Sequence, residues 1–167
     1  MTTGGAIRGV NVAEGALAGI TGLPGLSALL PQQLRSDSPL FFGTDDTRFD
    51  KLSAGLQIAA GRLATNDLAV TARDFLVQAG GTIGLDGSVD LDATLLPSLE
   101  LSHRLLQSAA PMKHLADRSG RVAIPFKLVG SLPETRPVPD MSALTGALQR
   151  ELIDNVGDRI LDGIKKP

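Results

Sequence analysis

The sequence predicts an α+β protein built on an antiparallel β-meander of about five twisted strands with one apolar face. Short N-terminal helices, one internal helix and a C-terminal amphipathic helix are expected to flank it. Three observations carry this reading. Apolar and polar residues alternate from Phe49 to Leu95, glycine-containing turn pairs punctuate that run, and apolar residues recur every fourth position after Asp140. A side-chain period of two gives each strand one apolar and one polar face, whereas a spacing near four gives a helix one apolar stripe.

Ala6 to Leu34 is small, apolar and interrupted by Gly22, Pro24, Gly25 and Pro31. Val12 to Ile20 reads as a short helix, and Leu23 to Leu34 as another with Pro24 in its first turn. Gly15, Gly19 and Gly22 weaken both, each costing up to ~1 kcal/mol relative to Ala. Arg35 to Asp46 is a polar, turn-rich connection with Phe41 and Phe42 in its middle.

The meander follows. Leu52, Ala54, Leu56 and Ile58 alternate with polar or small neighbours, and Leu68, Val70 and Ala72 continue the pattern. Phe75 and Val77, then Ile83 and Leu85, then Val89, Leu91, Ala93 and Leu95 extend it. Ala60-Gly61 and Asp86-Gly87 are the expected tight turns, the second being the stronger signal. Asn66-Asp67 marks a bulge or bend, and Gly80-Gly81 a bulge or a coiled strand.

Pro97 ends the meander, and Leu99 to Asp117 reads as helical in part, with Pro111 breaking or restarting it. Val122, Ile124, Phe126 and Leu128 place a fifth strand between Arg121 and Leu132, with Pro125 suited to an edge. Glu134 to Pro139 is expected to be a proline-rich linker. From Asp140, as N-cap, Leu144, Leu148, Leu152, Val156, Ile160 and Ile164 form the stripe of the terminal helix. Residues 1–139 therefore form the sheet domain, and 140–167 a helix that packs on it or on a partner.

Composition limits the chemistry. The 167 residues carry a net charge of −2, with 20% charged and 43% hydrophobic residues. That balance gives no basic footprint for nucleic acid. Trp and Tyr are absent, and five Phe supply the only rings, so stacking platforms for bases or sugars are missing. No cysteine occurs, which excludes disulfides and thiolate chemistry by inventory. The opening residues lack a basic segment followed by an apolar one, and no window is apolar enough to span a bilayer, so a soluble chain is expected.

His103 and His114 are eleven apart, with Pro111 between them, and read as solvated surface groups rather than metal ligands. Asp86, Asp90 and Asp92 lack the ligand alternation and closing Glu of a calcium loop. The glycines from Gly80 to Gly87 are followed by no Gly-Lys-Ser/Thr, and no Gly-x-Ser-x-Gly elbow exists. No catalytic residue, metal or cofactor is expected.

Several segments, taken in order, carry a family likeness: Ile7–Val12, Thr47–Leu52, Gly61–Leu68, Gly81–Asp86, Val122–Leu132 and Pro137–Asp140. In this order they make the chain resemble the C-terminal region of the AsmA-like family of bacterial envelope proteins. The resemblance implies a periplasm-facing domain whose parent is anchored in the inner membrane. It also implies a part in outer-membrane homeostasis through β-sheet grooves that carry phospholipid. Under it, the chain would be a terminal piece or a shortened relative, without catalytic residues and with other envelope proteins as partners.

The residues agree with that expectation on their own terms, because an apolar sheet face without aromatic readout suits phospholipid acyl chains. The face expected to form the core and any lipid groove bears Leu52, Leu56, Ile58, Val70, Val77, Ile83, Val89, Leu91, Ile124 and Phe126. The alternative is a structural or assembly module, its face covered by its own helices or by a second copy pairing through Asp140–Ile164.

Overall fold

The computed structural model describes residues 1–21, 45–108 and 110–142. Strand β1 (Thr2–Ile7) is followed by helix α1 (Val12–Thr21). Five strands come next: β2 (Thr47–Ser53), β3 (Gln57–Ala59), β4 (Arg62–Thr71), β5 (Phe75–Gly84) and β6 (Ser88–Pro97). Helix α2 (Leu99–Ser108) and a 3-10 segment (Ala110–Leu115) lead to β7 (Ile124–Ser131) and β8 (Glu134–Pro139). All strand pairs are antiparallel, in the order β1-β2-β4-β5-β6-β7-β8, with β3 also paired to β4.

The fold is thus mostly antiparallel β, a sheet curled into a half-barrel, with two α-helices among the described residues. The sheet has eight strands where about five were expected. The expected helix Leu23–Leu34, with Phe41 and Phe42, and the body of the Asp140–Ile164 helix lie outside the described residues. Asp140 does act as an N-cap, its Oδ1 accepting from Ser142 N at 3.0 Å and Ser142 Oγ at 2.6 Å.

Strand β8 corrects the linker expected over Glu134–Pro139. Asp140 N donates to Pro125 O at 3.2 Å, which makes Pro125 and Asp140 a hydrogen-bonded pair. Counting back along the ladder, Phe126↔Pro139 and Leu128↔Pro137 fall at non-hydrogen-bonded positions. Both imide nitrogens therefore face away from β7 and cost the ladder nothing, so proline is tolerated on this edge. Strand β7 is accordingly interior, not the edge that Pro125 suggested. The nitrogen of Pro125 points at the very end of β8, where no ladder donor is needed.

Helix α1 fills the curl. Asn11 caps it, with Oδ1 accepting from Glu14 N at 2.9 Å. Thr47, buried on β2, accepts from Val12 N at 2.9 Å and donates to Val10 O at 2.7 Å, so its hydroxyl is fully used. From that anchor the helix crosses to β7 and β8, and Gly15 lies against the ring of Pro137. A side chain at position 15 would hold the helix off the sheet. Ala13, Ala16 and Leu17 are buried with the sheet's inner residues in one core.

Helix α2 closes the base of that core. Ser98 caps it through Leu101 N at 3.2 Å, and Leu101 and Leu105 are buried beside Leu95, Met112, Val122 and Ile124. Arg121 Nε donates to Pro97 O at 2.9 Å, and Ser102 Oγ accepts from Val122 N at 3.2 Å. These bonds tie the helical insertion to the strand ends on either side of it. As expected, the α-helix stops before Pro111 and a 3-10 turn follows.

Candidate apolar contact surface

The inner face is continuous across four strands. Val70, Val77 and Leu95 are in register across β4, β5 and β6, as are Leu63, Ile83 and Val89 nearer the hairpin turns. Leu91 and Leu128 pair across β6 and β7, as do Leu95 and Ile124. Of the candidate face, Val70, Val77, Val89, Leu91, Ile124 and Phe126 are buried, and Leu52 and Ile83 are half-buried. The face is core for most of its length.

Among the described residues, an apolar pocket of about 50 Å³ lies beneath α1 between Val12, Val70, Leu91 and Phe126. Ligand pockets run from ~300 Å³ upward, so no acyl chain fits there. The face expected to form the core and any lipid groove is core where α1 covers it. Helix α1 occupies the volume that the groove required.

Leu56 and Ile58 are a correction to that face. They are 58% and 72% exposed, not buried. The alternation from Leu52 to Ile58 is not one strand, because the chain leaves the sheet at Ala54–Leu56 between β2 and β3. The cause lies opposite, where β4 carries a bulge between Thr65 and Leu68. The bulge residue Asp67 reaches the detour, its Oδ1 accepting from Gly55 N at 2.6 Å and from Thr65 Oγ1 at 3.2 Å. The Asn66-Asp67 signal was therefore a bulge, which Gly80 faces at ordinary contact distance, whereas the close approach of Gly81 is to β6 on the other side. A Cβ on Gly81, at φ 143°, would collide with Asp90 O. Between detour and bulge opens a cleft of about 480 Å³, lined by Leu56, Gln57, Ala64 and Asp67 among others.

Ile58 is exposed for a different reason. It stays in register with Leu63, and so in line with Ile83 and Val89, but lies at the edge of the sheet and at its turn end. Three hairpin turns meet at that end. Ala60 and Gly61 form the first with positive φ values of 49° and 74°, as a two-residue hairpin of this hand requires. Leu85 N donates to Gly61 O, and Leu132 N to Gly87 O, each at 2.9 Å, lacing the turns together. Leu85 and Leu132 are 68% and 57% exposed there. The apolar row thus runs from buried Val89 out to open Ile58, with Leu85 beside it.

The charged groups nearest this row lie on the other face or in the turns, Arg62 Nε donating to Thr82 Oγ1 at 3.2 Å. Asp90 and Asp92 are exposed on the outer face, and Asp92 pairs with Lys127, which raises the Lys127 ammonium above its ordinary value. Hydrogen bonds from Ser88 N and Oγ hold the Asp86 carboxyl below the usual range. Bonds from Ser119 Oγ and Arg121 N do the same for Asp117. These are turn-stabilising carboxylates.

His103 is exposed on α2, and among the described residues no three His, Cys, Asp or Glu side chains gather as metal ligands. No helix among the described residues is long and apolar enough to cross a membrane. Leu85 belongs to the alternation legible in the sequence, whereas Leu132 sits in the turn before Pro133 rather than on a strand, where no alternation marks it. No protein family, curated protein or solved structure matches the chain.

Proposed function

We propose that this is a non-enzymatic lipid-contacting domain of the bacterial envelope, in keeping with its resemblance to the AsmA-like C-terminal region. In this reading it meets phospholipid acyl chains at the turn end of its sheet. The observation that carries the proposal is the inner apolar row, buried at Val89 and open at Ile58 and Leu85. The row itself is aliphatic, with Arg62 turned to the opposite face of the sheet, and suits hydrocarbon rather than a headgroup. Asp67, in the adjoining cleft, would repel a phosphate. Burying each exposed Leu or Ile gains ~1.5–3 kcal/mol, so three or four such contacts give several kcal/mol before ordering costs. The partners this reading implies are acyl chains and neighbouring envelope proteins, with the domain facing the periplasm.

The chain has no Trp or Tyr, so a single Ile58→Trp replacement supplies a clean fluorescent reporter. Phosphatidylethanolamine–phosphatidylglycerol vesicles should shift its emission to the blue. A Gln78→Trp reporter on the exposed outer face should not respond. Absence of a shift at position 58 refutes the lipid reading.

A second reading has its own support in the 50 Å³ left under α1. On that reading the domain is a structural end-piece, its face sealed by its own helix. Silence of both reporters is its expected outcome.

A further inference from the structure

The two edges of the sheet are built in opposite ways. On β8, Pro137 and Pro139 turn their imide nitrogens outward, and α1 leans on Pro137. That edge cannot accept another strand. On the other side, β1 pairs with β2 alone, and no described element lies along its outer side. Thr2–Ile7 contains no proline and no charged residue, the devices that normally blunt an edge. An edge of this kind leaves a row of backbone donors and acceptors whose natural complement is another strand.

We propose that β1 is an interface, and that its occupant is the β1 of a second copy of this chain, paired antiparallel about a two-fold axis. Three features favour the second copy. The strand carries no charge, so self-pairing sets no like charges opposite each other. A two-fold perpendicular to the sheet reverses strand direction while keeping faces, so both inner apolar faces stay on one side of a continuous sheet. The side chains of β1 are small, so two strands approach without a steric demand for one particular partner sequence.

Gly4, at φ 67°, interrupts the regular strand, and pairing relies on the residues either side of it. A six-residue ladder buries less than the ~1,200 Å² of a stable complex, so the dimer is weak. Dissociation in the micromolar range or above is therefore expected.

Sedimentation equilibrium of the full chain across a wide concentration range tests this. The weight-average mass should rise from monomer towards dimer. Thr3→Glu/Ala6→Glu, at two exposed positions of β1 that lie opposite Lys51 and Arg48 of β2, should return it to monomer without lowering the unfolding midpoint. Hydrogen exchange of the wild-type chain gives an independent readout, with the amides of residues 2–7 slowing as concentration rises. A monomer at every concentration overturns the proposal. So does a dimer that survives both glutamates, or one whose exchange protection falls elsewhere.

Discussion

Phe126 joins the two halves of the core, and truncating it should cost more than any other single change on the inner face. It is 2% exposed, lies opposite Ala93 on β6 and Pro139 on β8, and lines the small pocket beneath α1. Phe126→Ala removes on the order of 100 Å³ of side chain, and residual cavity costs ~24 cal/mol per Å³ beyond the transfer term. The neighbours cannot easily collapse into the gap. Ala93 is too short to reach across, and the first turn of α1 is held both by Thr47 at Val12 and by Pro137 at Gly15. The upper part of the usual range is therefore expected, about 4–5 kcal/mol. In thermal unfolding this is a midpoint lower by roughly 10–20 °C, since 1 kcal/mol moves a domain of this size by ~2–4 °C. Ile58→Ala, at an open position, should stay within about ±0.5 kcal/mol. A loss below ~2 kcal/mol at Phe126, or equal losses at both positions, would refute the packing of α1 into the curl.

Gly15→Ala should destabilise. Gly→Ala in a helix ordinarily gains up to ~1 kcal/mol, but here the added Cβ meets the Pro137 ring; a raised unfolding midpoint would contradict the α1–β8 contact. Gly81→Ala should lower the midpoint further, because the residue is held at φ 143° and its Cβ would strike Asp90 O. Tolerance of that change by chemical denaturation would mean that the strands are not so close. The Asp86 and Asp117 carboxyls are held below their ordinary value, so their stabilisation is present above the unfolded carboxylate pKa near ~3.9 and lost as pH falls through their lower folded values. Replacing both by Asn should flatten the acid limb of midpoint against pH, and an unchanged slope would speak against those bonds.

The strands that proved most legible were those whose two faces differ in polarity. Val70, Val77, Val89, Leu91, Ile124 and Phe126 alternate with polar neighbours because one face is core, and all six are buried. Alternation alone does not reveal whether a run is a single strand. Leu52 to Ile58 keeps the period across a break, because the detour at Ala54–Leu56 is forced by Asp67 on another strand. Strand β1 was invisible because Thr and Gly carry no polarity contrast. Strand β8 was masked by prolines that are harmless only at outward-facing edge positions, a fact set by its register with β7. The open apolar end was likewise hidden. Ile58 and Val89 read alike in sequence, and what separates them is that β3 lies at the edge of the sheet and β6 between two neighbours.

The central claim, that the open turn end meets acyl chains, is tested most directly by photolabelling. The chain would be mixed with vesicles containing a phospholipid with a photoreactive acyl chain, irradiated, digested and mapped by mass spectrometry. Label should fall on Leu56–Leu63 and around Leu85, spare Phe126 under α1, and drop several-fold in an Ile58→Asp/Leu85→Asp variant that still folds. Label spread evenly over the outer face, or unchanged in that variant, would contradict the claim.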